Sequence, residues 1–303
     1  MACQNVAGLS GYLSHTAAEI PPTDAPPPDI IIYPESKLYD VGERLRLQSL
    51  GYDLACSATT TVSGRNGRLR AGHPGVSILR NSDSVWKMTT IDRSLPGMVI
   101  IRLTRPDACP VIVFGVYWRC GVKRRAETLI SAQTIKLKVQ LLQRMYPGEL
   151  IIIGGDFNAR ISAMSGKRWT PDTQTGGNCS ILKELMTAIS YSPVHGRNAT
   201  HAASFTSSAV GGQRGFSEVD YILAPIGLSP ETYVLHDPQP WEDIVEFPVL
   251  THVRFGATFS SRAVAPPPPP LLYPSSAPIP PAAVPSAPPP MSPLAHCPAR
   301  LAA

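Results

Sequence analysis

Ile151-Ile152-Ile153-Gly154-Gly155-Asp156-Phe157-Asn158-Ala159-Arg160 is the stretch that decides how this chain folds. A β-branched apolar run ends in two glycines, then offers an aspartate and an asparagine two residues apart. Apolar runs of this length bounded by glycine read as buried strands. The strand period of two puts Asp156 and Asn158 on one side of the chain. A carboxylate beside an amide at a strand end can orient a water and hold a phosphate oxygen. The plain alternative is an Asx turn closing the strand, since both residue types are common in turns.

Working outward, the same alternation of strand and helix recurs. Met98–Leu103, Val111–Tyr117 and Asp29–Tyr33 read as strands. Between Tyr117 and Leu150 a helix is predicted over Ala126–Tyr146, where Leu129, Ile130, Leu137, Leu141, Leu142 and Met145 recur at spacings of three and four. Pro147-Gly148 stops it. Downstream, a shorter helix is predicted over Ser180–Ile189, with strands at Ser204–Ser207, Asp220–Leu223 and Val249–Phe255. Strands mixed with a few helices suggest an α/β sandwich with its helices outside.

The chain has 303 residues, 43% hydrophobic and 16% charged, enough for a sizeable core. Fifteen of its 33 prolines fall in residues 265–303. The expected organisation is therefore a folded domain over 1–260 and a disordered Pro-rich tail over 261–303. That tail would sample polyproline II, either as a solvated extension or as a ligand for proline-recognition modules. A second Pro-rich stretch, Pro21–Pro28, reads as a loop before the Asp29 strand. This composition excludes a fibrous chain, a wholly disordered chain and a disulfide-stapled mini-protein. The net charge of +5 is compatible with a phosphate-bearing partner or with ordinary surface charge. The six cysteines form no C-x-x-C pair, which fits reduced thiols in a nuclear or cytoplasmic protein. Neither a membrane span nor a secretory signal is expected.

Other residues could join Asp156 and Asn158. Glu35 follows the Asp29–Tyr33 strand, Asp220 opens an apolar strand, and Asn5 stands in Asn5-Val6-Ala7-Gly8-Leu9. Singly, each reads as an ordinary surface, capping or loop residue. In chain order they form a pattern: Asn-x-x-Gly-Leu, Pro34-Glu35-Ser36, Gly115-Val116-Tyr117, Gly154-Gly155-Asp156-Phe157-Asn158, Ser204-Phe205-Thr206 and Asp220-Tyr221-Ile222-Leu223. His73-Pro74-Gly75-Val76-Ser77-Ile78-Leu79 adds a Gly-Val-apolar-Ile-Leu strand. This pattern resembles the endonuclease/exonuclease/phosphatase superfamily, and most of all the endonuclease domains of non-LTR (LINE-type) retrotransposons. The resemblance covers about residues 3–258.

The resemblance implies a four-layer α/β sandwich of two packed β-sheets flanked by helices, hydrolysing phosphate esters with Mg²⁺, or with Mn²⁺ as the alternative ion, and DNA as substrate. It implies that Asn5 and Glu35 serve the metal, with Glu35 the main ligand, a hard oxygen donor suited to Mg²⁺. Asp156 would activate or position the attacking water and Asn158 would hold the scissile phosphate. Tyr117 would contact that phosphate or the leaving group. Thr206 would line the phosphate site, and Asp220 would support the carboxylate cluster.

The pattern departs from the family at its end. A terminal Ser-Asp-His followed by an apolar residue and Pro is usual, and the histidine there binds phosphate. This chain reads Asp243-Ile244-Val245-Glu246-Phe247-Pro248-Val249-Leu250-Thr251-His252. In one register Glu246 stands where the histidine should, and Phe247–Leu250 match well. In the other, His252 is the catalytic histidine and its aspartate is lost. The opening strand before Asn5 is also short, and so short a strand pairs weakly. An endonuclease-like domain, a catalytically inactive binding relic and a phosphatase of the same superfamily all stay open. Arg65, Arg68, Arg70, Lys123, Arg124 and Arg125 could touch a phosphate backbone or be solvated charge.

Overall fold

The decisive stretch forms a strand, Leu150–Asp156, buried on both faces beyond its first residue. The structure is a computed structural model describing residues 2–3, 29–38, 41–49, 51–58, 60–63, 69–159, 161, 177–194, 207–208, 216–217, 219–228, 232–235 and 255–259. In chain order these give β1 (Ala2–Cys3), β2 (Ile30–Pro34), α1 (Val41–Ser49), β3 (Tyr52–Cys56), β4 (Thr60–Ser63), β5 (Leu69–His73) and β6 (Val76–Asn81). Then come β7 (Lys87–Asp92), β8 (Met98–Arg105), β9 (Ala108–Tyr117), α2 (Arg125–Met145), β10 (Leu150–Asp156) and α3 (Gly177–Ile189). The last are β11 (Tyr191–Pro193), β12 (Ser207–Ser208), β13 (Phe216–Ser217), β14 (Asp220–Pro225), β15 (Thr232–Leu235) and β16 (Phe255–Thr258).

Twelve strands make two six-stranded sheets, ordered β15-β16-β1-β2-β6-β3 and β11-β14-β10-β9-β8-β7. β4–β5 and β12–β13 pair separately. β9 and β10 run parallel, which requires a crossover, and α2 supplies it. β10 then pairs antiparallel with β14.

Period two sorts the second sheet's side chains. Ile112, Phe114, Val116, Ile151, Ile153, Tyr221 and Leu223 pack with Ile135, Val139 and Leu142 of α2 and Leu182, Leu185 and Met186 of α3. Val113, Ile152 and Ile222 face the other way, onto Ile30, Ile32, Val76 and Ile78 of the first sheet. The first sheet's outer face packs Tyr33, Cys56 and Leu79 with Leu47 of α1. The result is four layers: helix, sheet, sheet, helices. Strands covered on both faces read as continuous apolar runs, which is why β8, β9 and β10 are plain in the sequence. The two glycines of β10 permit close approach on both sides. A Cβ on Gly154 would sit 2.5 Å from Ile32 Cδ1, and one on Gly155 would sit 1.9 Å from the Val116 carbonyl oxygen.

One expectation changes, and one helix shows a buried face that the spacing did not specify. α2 buries Thr128, Ala132, Ile135, Val139 and Leu142. Of the six apolar residues that predicted the helix, only Leu142 is in the core, while Leu129, Ile130, Leu137, Leu141 and Met145 are exposed. Both stripes share the helical period, so periodicity finds the helix and not its inward face. The buried hydroxyl of Thr128 is satisfied by donating to the Arg124 carbonyl at 3.3 Å. The short opening strand is real but pairs on both sides, parallel to β2 and antiparallel to β16. The predicted strand over Ser204–Ser207 falls in the described residues only at Ser207, and that over Val249–Phe255 only at Phe255.

Candidate functional site

β9 and β10 end together, and β14 begins beside them. Asp156 is the register partner of Tyr117 on one side and of Asp220 on the other. All three lie on the strand face that carries Val113, Ile152 and Ile222, so they point toward the first sheet at one end of the sandwich. Asp156 and Asp220 are 2% and 0% exposed, so two carboxylates lie buried side by side in this row. Burying carboxylates costs stability unless polar partners or a cation offset it, and such clusters mark functional sites.

Glu35 reaches the row from the opposite sheet. It follows β2, whose Ile32 packs on Gly154. Its negative charge acts on the Tyr117 hydroxyl. Burial first, then the charges of Glu35 and Asp156, raise the Tyr117 pKa beyond its ordinary range. Tyr117 therefore stays a neutral O–H donor with carboxylates from both sheets around it. Glu35 and Lys37 take left-handed backbone conformations, φ 54° and 52°, and their side chains pair at 3.4 Å. Such conformations in non-glycine residues cost about 1–3 kcal/mol and persist only where neighbours impose them. Here buried Ser36 accepts a hydrogen bond from Ser77 Oγ at 2.8 Å, and the Lys37 amide donates to the Pro74 carbonyl at 2.9 Å.

Asn158 turns the chain out of β10. Its amide N–H donates to Asp156 Oδ1 at 2.8 Å, which is the Asx turn offered above as the plain alternative. Its φ of 45° is one asparagine tolerates better than most residues. Its Nδ2 donates to the Trp118 carbonyl at 2.7 Å and fixes the amide plane beside the strand ends. The turn and the cluster are therefore one structure. Asn178 of α3 ties the same loop down by donating to the Phe157 carbonyl at 3.1 Å.

The structure adds a histidine that the sequence reading noticed only as the start of a strand motif. The His73 ring stands edge-on to Tyr117, centroids 5.6 Å apart at 81°. His73 Nδ1 accepts from the Gly75 N–H at 3.1 Å, which assigns the proton of the neutral ring to Nε2. Gly97, at φ 76°, makes room for it: a Cβ there would lie 2.5 Å from His73 Cε1 and 2.7 Å from the Tyr117 carbonyl oxygen. Burial first, then the charge of Arg119, lowers the His73 pKa to about 4, with Glu127 opposing and Arg124 assisting. Arg124 pairs with Glu127 at 2.6 Å, and Arg119 approaches the same carboxylate at 4.0 Å. A mixed ionic rim therefore begins one residue beyond buried Trp118, and Lys123 and Arg125 beside it are exposed. Histidine–glycine contacts across a fold leave no sequence signal, so nothing short of the fold could have found His73.

The structure thus brings together Tyr117, Asp156, Asn158 and Asp220 at the strand ends, with Glu35 near enough across the two sheets for its charge to act on Tyr117. Asn5, Thr206, Glu246, His252, Arg65 and Arg68 lie outside the described residues, as does the Arg70 side chain. Among the described residues no three His, Cys, Asp or Glu side chains converge as a ready-made metal cage. The donor chemistry at Glu35 is still that of a hard cation. Mg²⁺ is commonly held by one or two carboxylates, with water and substrate phosphate completing its shell. No helix among the described residues is long and apolar enough to cross a membrane.

No family model matches the sequence, and no curated protein does. Solved structures match over most of the chain. The 3′ phosphatase NExo from Neisseria, bound to product DNA hairpin, matches with TM-score 0.57 and 16% identity, over 86% of this chain and 98% of that one. The endonuclease domain of TRAS1, a telomere-specific non-LTR retrotransposon, matches with TM-score 0.53 and 13% identity, over 86% and 98%. The AP endonuclease LMAP from Leishmania major matches with TM-score 0.58 and 15% identity, over 84% and 86%. The chain has the endonuclease/exonuclease/phosphatase fold. At these identities the likeness is one of architecture. In that fold the cluster occupies the end of the sandwich where β2, β9 and β10 finish.

Proposed function

We propose that this chain is a metal-dependent phosphodiester hydrolase, a DNA endonuclease-like domain of retroelement origin. One observation carries the reading: Asp156 and Asp220 stand in register beside Tyr117 at one end of the sandwich, and the charge of Glu35, from the end of β2 in the other sheet, acts on the same tyrosine. That is the equipment for attack on phosphorus. Asp156 takes or steers the proton of the attacking water. Tyr117, kept protonated, donates to a phosphoryl oxygen or to the leaving group. Asn158 has its amide plane fixed by one Nδ2 hydrogen on Trp118 and offers the other to the scissile phosphate. Asp220 supports the cluster from the adjacent strand, beside Asp156, and His73 buttresses the Tyr117 ring. Thr206 would line the phosphate site. Glu35, with Asn5, would hold Mg²⁺ or Mn²⁺, which offsets the negative charge that develops on the phosphoryl oxygens.

DNA is favoured by the mildly basic chain, by exposed Lys123 and Arg125 near the cluster, and by the nuclease architecture of its structural neighbours. A second reading, an inactive relic that only binds nucleic acid or a protein, rests on the missing Ser-Asp-His near Glu246 and His252. A plasmid assay separates the two. The full chain is expected to nick supercoiled DNA with Mg²⁺ and not with EDTA, and Glu35→Gln is expected to raise the Mg²⁺ concentration needed. A folded protein that binds DNA and never nicks it would establish the relic.

A further inference from the structure

Ser77 places a hydroxyl where packing alone calls for an apolar side chain. Its neighbours Val76 and Ile78 face the second sheet, so strand alternation turns Ser77 the other way, with Leu79. Its register partners are Tyr33 of β2 and Cys56 of β3, and both belong to the apolar cluster that packs Leu47 of α1. Ser77 is fully buried there, and a buried hydroxyl costs stability unless it is hydrogen-bonded. Ser77 Oγ donates to Ser36 Oγ at 2.8 Å and lies 3.3 Å from Cys56 Sγ. Ser36, itself buried, stands between Glu35 and Lys37, the two left-handed residues of the loop after β2. The loop is thus tied to β6 and its approach at two points, Ser36 to Ser77 and the Lys37 amide to the Pro74 carbonyl.

We propose that Ser77 is a positioning residue for Glu35, acting through Ser36. The proposal rests on the reading of Glu35 as the metal ligand. Left-handed conformations at Glu35 and Lys37 are sparsely populated, so the loop keeps them only while its surroundings fix the residue between them. The Ser77 hydroxyl does this from β6, a strand paired on both edges, with β2 on one side and β3 on the other, so the donor itself is held in place. Where the loop backbone goes, the Glu35 carboxylate follows. Ser77→Ala keeps the strand and the apolar cluster but releases Ser36, and Glu35 then samples other directions. Groups that orient a metal ligand from behind act chiefly on the affinity of the site.

Calorimetric titration of the full chain with Mn²⁺ alone, without DNA, tests this. Ser77→Ala should raise the Mn²⁺ Kd about tenfold, the lower end for loss of a residue that orients a metal ligand. In nicking, the Mg²⁺ concentration for half-maximal rate should rise in step, while the rate at saturating Mg²⁺ stays near the parent's. Ser36→Ala removes the same bond from the loop side and carries the test alone if Ser77→Ala does not fold. The two changes together should lose no more than the worse single, since all three variants lack one and the same hydrogen bond. Leu79→Val, in the same cluster, should lower Tm and leave the Mn²⁺ Kd unchanged. Serine variants that lose Tm as Leu79→Val does but bind Mn²⁺ as the parent does, with Glu35→Gln still weakening it, would overturn the positioning role and spare the metal reading. A parent that binds no Mn²⁺, or whose binding Glu35→Gln leaves unchanged, would overturn both.

Discussion

Single residues decide the site because it is built from close approaches. Gly155 has no space for a side chain, so Gly155→Ala should cost about 3 kcal/mol in urea unfolding, the upper range for overpacking against a part that cannot yield. Tyr117→Phe keeps the ring against His73 and removes the hydroxyl. It should lower the nicking rate about 10²-fold with Tm unchanged, the usual effect of deleting one donor to a developing oxyanion. An unchanged rate would remove Tyr117 from the chemistry. His73 gives a pH signature. Its folded pKa of about 4 lies below the ordinary 6.5, so the neutral ring favours folding fully above pH 6.5. As pH falls from 6.5 toward 4 the unfolded chain takes up a proton that the folded one refuses, and stability drops. Burial of the ring sets most of that drop, with Arg119 and Arg124 adding to it and Glu127 opposing, and His73→Gln should flatten it in thermal melts over pH 4–6.5. Asp156 and Asn158 were legible as a pair because β-branched residues, glycines and turn formers occur together there. The His73–Gly97–Tyr117 contact was not, because it joins three distant segments with no shared pattern.

Among the elements, the central strands were the most readable. β8, β9 and β10 are covered on both faces, so burial writes itself into uninterrupted apolar runs. β3 and β7 escaped, because each has polar residues on an exposed side: Tyr-Asp-Leu-Ala-Cys and Lys-Met-Thr-Thr-Ile-Asp. α1 escaped too, since among the described side chains of Val-Gly-Glu-Arg-Leu-Arg-Leu-Gln-Ser only Leu47 is in the core. α2 was found from a spacing carried mostly by its exposed stripe, which marks a helix without naming its buried face. The distinction is measurable. Leu142→Ala should cost about 2–5 kcal/mol, as for a buried leucine. Leu137→Ala, at an exposed position, should stay within about 0.5 kcal/mol of the parent. Equal costs at the two positions would mean that the helix packs the other way round.

At the scale of the whole molecule, two sheets bring together residues that the chain holds far apart. Glu35 and Asp156 stand 121 positions apart in sequence and act on one tyrosine. The order of short motifs announced this convergence. Its geometry came only from the stacking of β2 on β10, where Ile32 fills the space that Gly154 leaves open. The central claim is that these side chains form one phosphoryl-transfer site. It is tested most directly by a double-mutant cycle of Mg²⁺-dependent nicking by the full chain, with Glu35→Gln, Asp156→Asn and both together. Groups acting as a unit lose activity non-additively. Each single change should therefore lower the rate sharply, and the pair should lose little more than the worse single. Losses that simply multiply, or a rate in either single variant equal to the parent's, would contradict the account.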